Sequence, residues 1–382
     1  MERLSLYATA SRGTEDLLAE ELEELGAVRV KRSRGGVRFS ANLLEALRIC
    51  MGSRIAMRVL YPLAELEAKG PEGLYDAALS IPWEEHLSRS STFAIDATLK
   101  DSEHAHSGFV ALKIKDAVVD RLREKLGARP DVDTHDPAVR IIARLAGSKL
   151  SLSLDLCGDP LYKRGYRRGS FAAPLNEALA AAILRAARYR GDEPLWDPLC
   201  GSGTLLIEGA MIAMRRAPNL KRSFGIERWP ELGSRAKSML AELREEARAE
   251  ERTPPHPIIG SDKSEESIAA AKLNISAAKL GRAVTLSVAD ATVPPEPGRL
   301  PDHGLLVSNP PYGERLKGGG NKGMKSFYYK LGEGLAPAAH WRRFILAGHP
   351  AFESAFHARP TSRRPLWNGP IECALLEYPG VD

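Results

Sequence analysis

The chain has 382 residues, a formal net charge of +5 and four cysteines, with a pI near 8.9. That length supports two or three domains with real cores, and the mild basicity permits an anionic partner without demanding one. Cys50, Cys157, Cys200 and Cys373 form no CxxC pair, which argues against a structural zinc site or a disulfide framework. The opening MERLSLYATASRG lacks the apolar stretch of a secretory signal, and no apolar run approaches the ~18 residues of a membrane span. Reduced thiols and a cytoplasmic location without membrane contact are therefore expected.

Leu4 to Thr9 alternates as a strand. Thr14 to Leu25 carries Leu17, Leu18, Leu22 and Leu25 at helical spacing, with Gly26 as its stop. Val28 to Val30 and Gly36 to Phe39 suggest a hairpin, and Asn42 to Cys50 a second helix. This is a small β-α-β-β-α unit over residues 1–60. A second segment, 61–158, begins with short helical or turn pieces at Ala64–Ala68, Leu74–Leu79 and Pro82–His86. A strand follows at Thr92–Leu99, then a long amphipathic helix over Gly108–Leu126, with Val110, Ile114, Ala117, Val118, Leu122 and Leu126 on one face. Arg140–Leu145 and Lys149–Leu156 are strands parted by the turn Gly147-Ser148. Residues 159–174, rich in Gly, Pro and Arg, suit a linker.

From 175 to 382, apolar strand-like runs recur at Pro194–Trp196, Pro257–Gly260, Ala283–Val288, Gly304–Val307, Phe344–Ala347 and Glu372–Tyr378, with helical patterns between the first five. That alternation implies a mostly parallel sheet covered on both faces, an α/β fold. The Ala- and Glu-rich stretch Pro230–Glu251 predicts a helix inserted in this domain.

Two strings carry chemistry. In Asp197-Pro198-Leu199-Cys200-Gly201-Ser202-Gly203-Thr204 an apolar strand ends in an acid and turns through glycines into a helix. Such a turn, at the carboxyl end of a strand, lets backbone amides approach a ligand. Leu206 and Ile207 follow where GxGxxG would place its last glycine, and no Gly-Lys-Ser/Thr follows, so a dinucleotide or phosphate cradle is disfavoured. Asp197 repels pyrophosphate and suits a cationic end such as the amino group of S-adenosylmethionine. Asp262, after the second strand, is placed for ribose hydroxyls and also for starting the next helix. Asp290, after the third, is placed for an adenine amine or for a turn.

The second string is Asn309-Pro310-Pro311-Tyr312. An exocyclic base amine is a weak nucleophile because its lone pair is delocalised. An Asn carbonyl and a Pro carbonyl accept its N–H bonds without becoming protonated, the prolines restrict the backbone, and Tyr312 offers a ring on which a flipped base stacks. A plain Asn-Pro turn is the alternative. Lys317–Lys325, rich in glycine, suggests a mobile loop, and Glu314 and Arg315 suit a loop contact or RNA. His104, His106, His135, His303 and His349 show no HxxxH or HExxH spacing, so no metal is expected. Basic clusters at Arg29, Lys31, Arg32, Arg34 and Arg38, at Lys163, Arg164, Arg167 and Arg168, and at Arg215, Arg216, Lys221 and Arg222 together make a nucleic acid plausible.

On DPLCGSGTLLIEGAM and SNPPYGERL the chain resembles the bacterial large-subunit ribosomal RNA guanine-N2 methyltransferases with an N-terminal THUMP domain. LYKRGYR (161–167), APLNEALAAAIL (173–184), the stretch 106–133 and WNGPIECALLEY are similar to other segments of that family. The resemblance implies a ferredoxin-like unit, a THUMP domain and a class I, Rossmann-like methyltransferase domain, in the form with a single methyltransferase domain. A second activity would then be absent or supplied by another protein. It implies S-adenosyl-L-methionine as cofactor, with Asp197, Gly201 and Gly203 at its methionine end, Pro198, Cys200, Ser202 and Thr204 also cofactor-binding, Asp262 at the ribose, Asp290 near the adenine and Asn309 beside both cofactor and base. Asn309, Pro310, Pro311 and Tyr312 would hold the target base, and Lys163, Arg164, Arg167 and Arg168 would contact structured RNA, in the first instance 23S rRNA. Transfer RNA as substrate, adenine N6 as target, and an RNA-binding assembly factor with a vestigial methyltransferase fold stay open. A nicotinamide oxidoreductase predicts the GxGxxG loop that is missing.

Overall fold

The computed structural model describes residues 2–102, 106–168, 174–312, 320–356 and 358–380, without the side chains of 320 and 321. It falls into two units. One holds Met1–Ala10, Ala19–Leu161 and Asn219–Glu246; the other holds Ser11–Leu18, Tyr162–Pro218 and Ala247–Asp382.

The first unit is built on one eight-stranded sheet. Its strands are β1 (Leu4–Thr9), β2 (Val28–Ser33), β3 (Gly36–Ala41), β4 (Arg58–Glu67), β5 (Thr92–Lys100), β6 (Asp131–Val132), β7 (Val139–Ala146) and β8 (Lys149–Asp155). They run in the order β2-β3-β1-β4-β8-β7-β5-β6. The period of two is plain in β7 and β8, where Val139, Ile141, Ala143, Leu145, Leu150, Leu152 and Leu154 are buried. Helices α1 (Glu15–Glu24), α2 (Leu43–Gly52), α3 (Gly70–Leu79) and α4 (Ser107–Leu126) accompany the sheet. The apolar stripe of α4 is buried at Val110, Ile114, Ala117, Val118 and Leu122, and the helix stops at Gly127 in the left-handed conformation. Asn42 and Glu45 close a reciprocal capping box on α2.

Two expectations fail here. Ala64–Ala68 is not a helical piece: Ala64 to Glu67 belong to β4 and pair with Leu152 to Lys149 of β8. Cross-strand pairing overrides the helix preference of Ala, Glu and Leu. The start of β4 pairs with β1, so the sheet runs unbroken through residue 60. The stretch 219–246 belongs to the first unit and is not an insertion packed within the α/β domain. Asn219 Nδ2 donates to Cys50 O at 3.2 Å, and Ile226 N to Leu156 O at 3.0 Å. Its helix, α7 (Gly233–Ala249), begins in this unit.

The second unit is an open α/β sheet. Parallel strands β9 (Leu195–Asp197), β10 (Ile258–Asp262), β11 (Thr285–Val288), β12 (Leu305–Ser308) and β13 (Arg342–Ala347) are joined by antiparallel β15 (Ile371–Tyr378) and edge strand β14 (Ser362–Asn368). The order is β11-β10-β9-β12-β13-β15-β14. Successive residues enter opposite cores: Leu195, Leu305, Val307, Phe344 and Leu346 join one, with α5 (Glu177–Ala186), α6 (Thr204–Ala213) and α8 (Glu265–Ala277). Trp196, Leu306 and Ile345 join the other, with α9 (Gly320–Gly334) and α10 (Ala351–Ala355). Burial on both faces explains why these strands read as continuous apolar runs.

Three details differ from expectation. No helix lies between β11 and β12, because Pro294, Pro295, Pro297 and Pro301 bar one. β14 escaped notice because Pro365 and two arginines interrupt its pattern, which an edge strand tolerates. Residues from Gly320 to Lys325 open α9 and are not loop; Lys317 to Gly319, like Glu314 and Arg315, lie outside the described residues.

Candidate active site at the ends of the central strands

Neighbours on either side of β9 follow in opposite chain directions, β10 on one side and β12 on the other. An open α/β sheet leaves a crevice at such a switch point, outside the carboxyl ends of the strands. A cavity of about 450 Å³ occupies that place, lined by Asp197, Cys200, Gly201, Ser202, Thr204, Asp262, Asp290, Asn309 and Pro311 among others. The glycine turn and the double-proline segment, more than a hundred residues apart in sequence, therefore face one space.

Asp197 ends β9 and is 2% exposed. Its Oδ1 accepts from Ser308 Oγ at 2.8 Å and from Leu199 N at 3.1 Å, tying the ends of β9 and β12 together. Burial pushes its pKa up to about 7, with the Asp262 charge adding in the same direction and the two hydrogen bonds opposing. Beyond it, Gly201 has φ +51° and Gly203 φ +83°. A Cβ at Gly203 would press on Ala271, whereas one at Gly201 would meet nothing within 4 Å. Gly203 is thus required by packing, and Gly201 leaves its backbone open for close approach. Asp262 ends β10 and accepts from Gly201 N at 3.0 Å and from Ser264 N at 2.9 Å. It fixes the turn and the start of α8 at once and still has acceptor capacity on both oxygens. Asp290 accepts from Thr292 N and Oγ1, which hold its carboxyl below the usual range. It is a turn former that also lines the cavity.

Asn309 follows Ser308 at the end of β12. Its Oδ1 is buried and accepts no hydrogen bond among the described residues. Pro311 O accepts from Tyr328 Oη at 3.0 Å, so α9 pins the segment from behind. Pro198, Gly203, Pro310 and Tyr312 do not line the cavity. The stacking platform expected of Tyr312 is corrected: its ring is 4% exposed, fills the space over Gly348, and its hydroxyl meets Asn368 Nδ2 at 2.5 Å. Tyr312 packs the segment against β14. The aromatic side chain that does reach the cavity is Phe327 of α9. Sequence reading missed it, together with Leu199, Leu205, Lys263, Glu266 and Ser267. Phe327 was hidden because the glycines around residue 320 masked the helical pattern Met324, Phe327, Tyr328, Leu331.

The cluster Lys163, Arg164, Arg167 and Arg168 is not one exposed patch. The Arg164 side chain is 1% exposed and paired with buried Glu208 at 3.5 Å. Arg167 donates to Glu177 Oε1 at 2.9 Å and to Leu175 O at 2.7 Å. Only Lys163 and Arg168 are exposed. Arg164 is corrected to a structural ion pair, since a buried guanidinium cannot meet a phosphate, while Arg167, partly exposed, is engaged by Glu177 and Leu175 O. Arg216 and Arg222 are likewise bound to Glu251 and to backbone carbonyls. No helix among the described residues is long and apolar enough to cross a membrane, and no group of three or more His, Cys, Asp or Glu among them could hold a metal.

Residues 5–60 match the RlmL ferredoxin-like domain, residues 68–155 the THUMP domain, and residues 164–377 the RMKL-like methyltransferase domain. The chain is 42% identical, over 98% of its length, to ribosomal RNA large subunit methyltransferase K/L of Syntrophotalea carbinolica, and 38% identical, over 97%, to the protein of that name from Aeromonas hydrophila. It spans about half of each, 53% and 54%. Among solved structures it is similar to SMU.472 complexed with SAH (TM-score 0.89, 29% identity, 100% of this chain and 99% of that one). A predicted N6-adenine-specific DNA methylase from Listeria monocytogenes is also similar (TM-score 0.86, 28% identity, 100% and 97%). With more than half of its residues matched by one model, over the domain that carries the cavity, the chain belongs to the RMKL-like methyltransferase domain family.

Proposed function

We propose that this chain is an S-adenosyl-L-methionine-dependent RNA methyltransferase that modifies the exocyclic N2 of a guanosine in 23S rRNA. The observation that carries the reading is the buried Oδ1 of Asn309, without a partner among the described residues, on the cavity that the glycine turn also lines. A buried acceptor without a donor costs about 1–3 kcal/mol, and a bound base amine would remove that cost. The residues present fit the cofactor. Gly201 leaves its backbone accessible, Asp197 supplies a carboxylate for an ammonium group, and Asp262 keeps acceptors for ribose hydroxyls. The solved relative bound to SAH supports the same choice.

When bound, the cofactor supplies an activated methyl carbon. The protein's own part is placement. Asn309 accepts an N–H of the base amine and turns its lone pair away from the ring. Ser308 and Asp197 hold Asn309 in register with the glycine turn, and Tyr328 holds Pro311. No protein base is needed in this scheme, because the nitrogen loses its proton to solvent after it has gained the methyl group.

RNA as partner rests on the THUMP match, on the names of the curated relatives and on the β2–β3 hairpin. There Arg29, Lys31, Arg32, Arg34 and Arg38 are all exposed, and no Asp or Glu occurs between Glu24 and Glu45. Incubation with methyl-labelled cofactor and separate pools of ribosomal RNA and tRNA tests the reading. Label is expected in 23S rRNA; label confined to tRNA, or none in either pool, contradicts it.

A further inference from the structure

The buried polar residue Asn274 has no part in the chemistry described so far. It sits on α8, 1% exposed, in the core where Ile268, Ala271 and Ile275 set an apolar stripe. Leucine would fill such a position without the desolvation cost of an amide, so a polar residue there is held by its bonds. Both ends of the amide are used. Nδ2 donates to Ser202 O of the glycine turn at 2.9 Å, and Oδ1 accepts from Arg168 N at 2.8 Å. Arg168 belongs to an arm, Tyr162–Arg168, whose Arg167 donates to the carbonyl of Leu175, a residue that lines the cavity. The same arm is anchored by Arg164 and Tyr166 on buried Glu208 and by Arg167 on Glu177 and Leu175 O.

We infer that Asn274 is a positioning residue of the cofactor site, joining the glycine turn to the arm so that both walls of the cavity hold one spacing. The inference rests on the reading of this cavity as a cofactor site. An arm anchored at Glu208 and Glu177 keeps its fold when Asn274 is lost, but its register to Ser202 does not. The near-isosteric Asn274→Asp keeps an acceptor for Arg168 N and sets an oxygen against Ser202 O. Asn274→Ala removes both bonds.

The test is calorimetric binding of S-adenosylhomocysteine to the full chain, with melting temperatures measured alongside. Leu179→Val, a volume change in the same core on α5, serves as the destabilised control. Both Asn274 variants are expected to bind about tenfold more weakly, and the control to bind as wild type. Amide exchange in the wild-type chain gives a second readout: the Arg168 N–H is expected to be protected, and more so with ligand. Affinity within twofold of wild type in both variants, equal weakening in the control, or an unprotected Arg168 amide overturns the inference. If the wild type itself binds no S-adenosylhomocysteine, the cofactor reading fails instead.

Discussion

At the scale of single residues, Asp197 and Asn309 are expected to separate binding from turnover. Asn309→Ala removes the acceptor and leaves the glycine turn intact. Cofactor affinity is expected to stay at the wild-type level while kcat drops by about 10²–10³, the range seen when one preorganised polar contact to a reacting group is lost. Single-turnover transfer and calorimetry measured together check the split; an unchanged kcat removes Asn309 from the mechanism. Burial pushes the Asp197 carboxyl up to about 7, well above the usual carboxylate range. An acid shifted upward stabilises the fold fully below its unfolded pKa and loses that contribution as pH rises through its native one. In the ligand-free protein, Asp197→Asn should therefore melt above wild type by a margin that widens from about pH 5 to about pH 8. The same variant should bind S-adenosylhomocysteine more weakly. A constant margin across that range would show that Asp197 ionises as an ordinary surface acid does. Asp197, the glycines and Asn309 were legible in sequence because each follows an apolar strand. Tyr312 was misjudged because nothing local says which way a ring turns, and Gly348, which receives it, lies far along the chain.

Among elements, the turn between β9 and α6 offers a paired test. Both of its glycines have positive φ. Alanine at Gly203 adds a 3.2 Å contact with Ala271 to the backbone strain, and a loss of about 1–2 kcal/mol in stability is expected. Alanine at Gly201 meets open space, so it should cost only the backbone strain, about 1 kcal/mol, yet weaken cofactor binding more than Gly203→Ala does. Urea unfolding and calorimetry on the two variants decide. The reverse ranking in binding would mean that Gly201 does not face the ligand. Helices and parallel strands of the second unit could be read from period and punctuation. Two of the failures share one physical cause: β4 and the segment 219–246 take their state from distant partners, Leu150–Leu154 and Cys50, whereas β14 pairs with the adjacent β15 and was hidden by its own Pro365 and arginines. Local preference does not encode those pairings.

For the whole molecule, the strands order the site and the hairpin supplies charge. Reversing two exposed cations, Arg32→Glu with Arg34→Glu, should weaken RNA binding strongly at low salt and lower the slope of log K against log salt by roughly 1–2. Cofactor affinity should not change, because the hairpin belongs to the first unit and the cofactor residues to the second. An unaltered salt slope would place the RNA contact elsewhere. The three domain types were legible from sequence through the motifs that carry the family resemblance, while the eight-stranded sheet through residue 60 was not. Boundaries read from composition cannot see a strand shared by two partners. The central claim is that neutral acceptors at the end of β12 serve the amine of guanine, and the most direct measurement is identification of the methylated nucleoside. After reaction of 23S rRNA with labelled cofactor, digestion and mass analysis should yield N2-methylguanosine, absent with Asn309→Ala. N6-methyladenosine, or N2-methylguanosine undiminished in the variant, would contradict the account.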